Sequence, residues 1–165
     1  MDIKKKADWL VRKHQSRNPV EIVKGLNVVL IFMPLVGVRG FYQHFQRNNI
    51  IYIDENLPYH EQLFVCAHEM GHMILHKKAN AIFMDSRTFL NGSRYEQEAD
   101  SFAMHLLVED NVLLEHSSCT IEQLSRILGY EKELIQLRTK GTEYQTAFNS
   151  ARQMFSALDV IAHNK

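Results

Sequence analysis

The sequence predicts an α+β fold, with a small antiparallel sheet packed on a pair of long helices and a helical C-terminal part. Three observations carry that prediction. Residues 27–54 hold three β-rich runs punctuated by glycine and asparagine. Helix-period apolar stripes precede and follow them. The 165 residues, 45% of them hydrophobic, are enough to bury a real core in one domain, or in one domain with a small helical appendage.

Taken in order, residues 2–16 place Ile3, Ala7, Leu10 and Val11 on one stripe with Trp9 at its edge, which predicts an amphipathic helix. Asn18-Pro19 starts a second short helix through Lys24, with Gly25 as its stop. Strands are expected at 27–33, 38–45 and 50–54, separated at Gly37, Gly40 and Arg47-Asn48-Asn49. Pro58 opens a long helix over 59–77. Residues 79–93 read as irregular, with a turn at Asn91-Gly92, before a helix over 94–108. Two short helices near 120–128 and 131–139 and a last one near 143–160 complete the chain. The main domain is therefore expected at 1–109, with a helical region at 110–165.

Composition excludes several function classes. Formal net charge is zero, so no general attraction to nucleic acid or to an anionic membrane is expected. Lys4-Lys5-Lys6 reads as one solvated helix face, since Asp8 and Arg12-Lys13 interrupt any signal-peptide apolar core. The longest apolar run, 28–36, is broken by Pro34 and too short to span a bilayer. Cys66 and Cys119 form no metal- or redox-type pair. A soluble protein of the reducing cytoplasm is the expectation.

The chemistry is concentrated in His68-Glu69-Met70-Gly71-His72, a pattern expected by chance in about one per cent or fewer of chains this long. On a helix the two histidines lie one turn apart on one face, so both rings reach one metal ion. Glu69 sits about 100° around the helix, placed to take a proton from a water that the metal polarises. Leu63, Phe64, Ala67, Met70, Gly71, Ile74 and Leu75 fill the adjacent, core-facing arc. Small Ala67 and Gly71 there predict a close helix–helix contact, because a mid-helix glycine costs about 1 kcal/mol against alanine. The competing reading is a pair of ordinary histidines.

A catalytic zinc needs a third protein ligand. In Glu96-Gln97-Glu98-Ala99-Asp100, Glu96 shares a helix face with Asp100, Ala103 and Leu107 and is read as that ligand. Glu98 falls with Arg94, Ser101, His105 and Glu109 on what reads as a solvent arc. Asp100, one turn past Glu96, is placed to accept the free ring N–H of a ligand histidine and fix its tautomer. His76 lies about 12 Å of helix rise from His68, too far to share the ion, and is read as a partly cationic helix C-cap. Cys66, between the two arcs, reads as a buried inert thiol rather than a switch.

With these residues in hand, the chain resembles the ImmA/IrrE metallopeptidases. The resemblance rests on H-E-M-G-H-x-x-x-H at 68–76 and E-x-x-A-D-x-F-A at 96–103, the latter also similar to the glutamate-zincin pattern. It extends from Asn18-Pro19-Val20-Glu21-Ile22 through Ile51-Tyr52-Ile53-Asp54-Glu55-Asn56-Leu57 to about Leu107. It implies a zincin-like active-site helix pair, Zn2+ bound by His68, His72 and Glu96, and Glu69 as general base. It also implies a substrate class, because ImmA-type members cleave helix-turn-helix repressors of phages and mobile elements.

Residues 120–140 resemble a helix-turn-helix in their apolar spacing, but Glu131 and Glu133 would face phosphates with like charge. They are read as packing or repressor-docking structure without direct nucleic-acid binding. The expected function is a cytoplasmic zinc endopeptidase, with residues 38–45 aligning an extended substrate. Tyr42, Tyr95 and Arg39 are nominees for steadying the oxyanion. The alternative is a non-proteolytic zinc protein that modulates a repressor by contact. A weaker third reading is zinc hydrolysis of a small molecule.

Overall fold

A computed structural model describes residues 2–76 and 89–140, and it is mixed α and β as expected. The order is α1 (Ile3–His14), α2 (Pro19–Gly25), β1 (Val29–Met33), β2 (Gly40–Phe45), β3 (Asn48–Asp54), α3 (Tyr59–Leu75), α4 (Phe89–Leu107), α5 (Asp110–Glu115), α6 (Ile121–Leu128) and α7 (Lys132–Thr139). The expected helix near 143–160 lies outside the described residues. The chain divides into two compact units, Met1–Leu107 and Val108–Lys165.

Local signals build the first unit. Asp2 caps α1 by accepting from the Lys5 N–H, and Asn18 caps α2 by accepting from the Val20 N–H, with Pro19 at the first helical position. Ala7 and Leu10 bury the inner face of α1. Gln46 and Arg47, both at positive φ, form the two-residue hairpin loop between β2 and β3, which suits strand twist. Asn48 and Asn49, expected in a turn, therefore begin β3.

The sheet corrects one expectation. Its order is β1-β3-β2, with β2 antiparallel to β3 but β1 parallel to it. Hairpin turn chemistry fixes the β2–β3 pair, whereas the 34–39 connection carries the chain past the position β3 will take. β3 then returns between its predecessors and runs the same way as β1. Apolar alternation fixes which residues are strands and not their order.

Ile51 and Ile53 of β3 are fully buried on the face that meets α3. On the other face Val29, Met33, Phe41 and Phe45 are exposed. The α3–α4 contact is close at the expected glycine. A Cβ on Gly71 would lie 3.0 Å from the Ala99 Cα and 3.2 Å from its carbonyl oxygen. Asn91 and Gly92 belong to α4 rather than to a turn, so the modest propensity penalty of a helical glycine is overridden here.

Helix α4 also departs from the expected solvent arc. Phe102, Ala103, Met104, His105 and Leu106 are consecutive and all buried, because α4 packs on both α3 and α1. Arg17 donates to the His105 and Leu106 carbonyls at its C-terminal end. His105 is thus not a solvent-facing residue, and Glu98 is not a solvated charge.

In the second unit, α5 fills a stretch for which the sequence signalled no element. Thr120 and Gln123 close a reciprocal capping box on α6, and Gly129 in the left-handed region ends it. Leu113, Leu124 and Ile135 are buried. Arg138 is also buried, donating to the Val108 carbonyl and pairing with Asp110.

Candidate metal centre

Three ligand-type side chains meet where α3 and α4 pack most closely. Ligand atoms of His68, His72 and Glu96 all lie within 4.8 Å of one another, the only such group of three among the described residues. The His68 and His72 Nε2 atoms are 3.0 Å apart. Glu96 places Oε2 3.1 Å from His68 Nε2 and Oε1 3.3 Å from His72 Nε2. Helical spacing aligns the histidines, and the Gly71–Ala99 contact brings the carboxylate to them.

The donor set fits a metal. Two imidazole nitrogens and a carboxylate converge with no apolar group between them, so a shared positive charge is what satisfies them together. A tetrahedral ion with bonds of about 2.0–2.1 Å keeps its donors about 3.4 Å apart, close to the observed separations. Asp100 Oδ1 lies 2.7 Å from His68 Nδ1, on the far side of the ring. That contact leaves Nε2 as the ligand atom.

The two acidic neighbours also set the electrostatics of the site. Burial opposes a charge on His68, yet hydrogen bonds to Asp100 and Glu96 outweigh it and raise its pKa to about 10. Hydrogen bonds from His68 and His72 push the Glu96 carboxyl well below its ordinary range. Glu96 is half exposed rather than pointing into the core.

Glu69 has a different environment. It is 9% exposed, and burial raises its pKa against the opposing pull of His68 and His72. The Tyr42 backbone N–H hydrogen-bonds to it from β2. Gly40 makes that approach possible. A Cβ there would lie 2.4 Å from Val65 Cγ1, 2.7 Å from the Tyr52 carbonyl oxygen and 3.8 Å from Glu69 Cγ. The sequence marked Gly40 only as punctuation; its position at the start of a strand was the signal of a close approach.

For His76 and Glu98 the surroundings differ from expectation, while Cys66 is as expected. His76 does close the α3 C-terminus, its N–H bonding the His72 carbonyl, but its side chain is buried and burial lowers its pKa. The cap is thus made by its backbone N–H, while the ring turns to α4. Its ring packs on Tyr95 with centroids 4.4 Å apart. Glu98 bridges Arg94 at 2.9 Å and His76 at 3.6 Å. Cys66 is fully buried, and burial pushes its thiol up to about 12, as an inert thiol requires.

The oxyanion nominees have other engagements. The Tyr42 hydroxyl donates to Asn49 Oδ1 at 2.7 Å, Arg39 pairs with Glu61 at 2.7 Å, and Tyr95 packs on His76.

Comparisons with known proteins show the family of the chain. Residues 23–140 match the model of the IrrE N-terminal-like domain, a peptidase family. The chain is 36% identical over 139 residues to uncharacterized immunity region protein 2 of Bacillus phage phi105, covering 82% of this chain and 88% of that one. It is 31% identical over 135 residues to metallopeptidase ImmA of Bacillus subtilis (strain 168), covering 81% and 75%. The chain belongs to the IrrE N-terminal-like peptidase family, which implies a metal and a protein substrate.

Proposed function

We propose that this protein is a zinc-dependent endopeptidase that cleaves a helix-turn-helix transcriptional repressor of a phage or mobile element in the cytoplasm. The observation that carries the reading is the convergence of His68, His72 and Glu96 beside a buried Glu69. In this reading those three residues hold the ion and Asp100 orients His68. Bound zinc supplies polarisation of the scissile carbonyl and of the attacking water. Glu69 accepts the water's proton and passes it to the leaving amine, and its raised pKa suits a group that both takes and gives a proton. The Tyr42 N–H holds that carboxylate against β2.

Strand β2 is an edge of the described sheet, so an extended substrate can pair with it beside Glu69. The repressor substrate is supported by the two relatives, one named for a phage immunity region and one a metallopeptidase. Helices α5 to α7 contribute to substrate choice and do not read DNA, on the strength of the acidic start of α7. No helix among the described residues is long and apolar enough to cross a membrane.

The test is incubation of the protein with the repressor encoded beside it, comparing wild type with Glu69→Gln. Cleavage by wild type alone supports the reading. If Glu69→Gln relieves repression in cells as well as wild type does, contact rather than proteolysis is the activity. Charge reversal at the exposed Arg126 and Lys140 is expected to weaken cleavage while zinc content stays intact. Arg138 is buried and is unsuitable for that probe.

A further inference from the structure

His76 is the histidine of the 68–76 segment that the metal cluster does not use. A buried polar ring calls for partners, since an unsatisfied one is costly to hide. Its side chain is 4% exposed, and among the described residues its Nε2 has no hydrogen-bond partner. The ring donates to the Tyr95 backbone, packs face-tilted on the Tyr95 ring, and points Nε2 at Glu98 Oε2, 3.6 Å away. Glu98 is itself steered, because Arg94 Nε holds its other oxygen at 2.9 Å.

The placement of these partners is informative. Tyr95 and Glu98 share one flank of α4, three residues apart. Glu96 and Asp100 lie on the other flank, with Ala99 between, against Gly71. The Tyr95 and Glu98 contacts of the His76 ring therefore fall immediately beside the third ligand-type residue. An apolar side chain would fill this space at less desolvation cost but would fix neither α4's rotation nor its rise.

We propose that His76 is a positioning residue for the metal centre, closing on Tyr95 and Glu98 so that α4 presents Glu96 to His68 and His72. The inference rests on the metal-centre reading above. Removing the ring leaves the ligands intact but loosens the carboxylate's placement. Outer partners of metal ligands typically change affinity by about 10- to 100-fold.

The experiment measures zinc affinity by chelator competition, and the melting temperature of the metal-free chain, for wild type, His76→Leu, Glu98→Gln and His72→Ala. His76→Leu is expected to weaken zinc binding by about 10-fold or more, with little change in metal-free melting. Glu98→Gln should weaken it in the same direction by less, and it serves alone if His76→Leu does not fold. Wild-type affinity in both variants, or a loss matched by an equal fall in metal-free stability, overturns the proposal. His72→Ala separates the two readings. If it binds zinc like wild type, the metal-centre reading fails; if it loses zinc while the His76 and Glu98 variants keep it, only the positioning role fails.

Discussion

The helix pairs α3–α4 and α6–α7 obey different rules. In α6–α7 most local choices agree with the fold, the exceptions being the start of α7, which has no side-chain cap, and the buried Arg138, which pairs with the Val108 carbonyl and Asp110. Thr120 and Gln123 satisfy the start of α6, Gly129 ends it, Ser125 Oγ bonds the Tyr130 carbonyl, and Leu124 and Ile135 supply the core. In α3–α4 the rules are broken repeatedly. Pro58 offers no side-chain cap, a glycine sits in mid-helix, and Glu69, His72 and His76 are buried. Buried ionisable groups and a helical glycine are destabilising unless something uses them. The α6–α7 exceptions are isolated, whereas those of α3–α4 gather around three ligand-type side chains, the pattern expected of a functional site.

Substitutions that separate the two pairs test that contrast, beginning with the largest effect. Glu69→Gln should reduce repressor cleavage by at least about 10²- to 10⁴-fold, leaving melting temperature and metal content near wild type. A comparable loss of stability would make Glu69 a structural residue instead. Gly71→Val should drive a side chain into Ala99, costing about 1–3 kcal/mol or more in denaturant unfolding and reducing metal affinity as the helices part. For the other pair, Asp110→Ala in α5 removes the carboxylate partner of buried Arg138 in α7. It should destabilise by about 1.5–3 kcal/mol, the range for charged hydrogen bonds, with metal affinity unchanged. The smallest effect belongs to Thr120→Ala, about 1 kcal/mol from the lost cap, again without effect on the metal. Metal affinity falling in either of these last two variants would break the division of roles.

How far these features were legible in the sequence follows the same division. The 68–72 spacing put two histidines on one face, and Gly71 announced a close neighbour that proved to be Ala99. Helix α6 was readable from its ends, since caps are local chemistry. Long-range facts were not. The parallel β1–β3 pairing depends on where a loop crosses, which alternation does not encode. Glu98 was misread because a helical wheel gives angles but not how many neighbours surround the helix, and α4 is packed by both α1 and α3. Gly40 was undervalued for the same reason, since its closest contacts, Tyr52 and Val65, are 12 and 25 positions away in the chain.

The central claim is that His68, His72 and Glu96 together hold one metal ion. Elemental analysis of the purified full chain tests it most directly, comparing wild type with the His72→Ala, Glu96→Ala double variant. The account predicts about one zinc per wild-type chain, the stoichiometry of a His₂Glu site, and a near-complete loss in the folded double variant. Full zinc occupancy in that variant would contradict it.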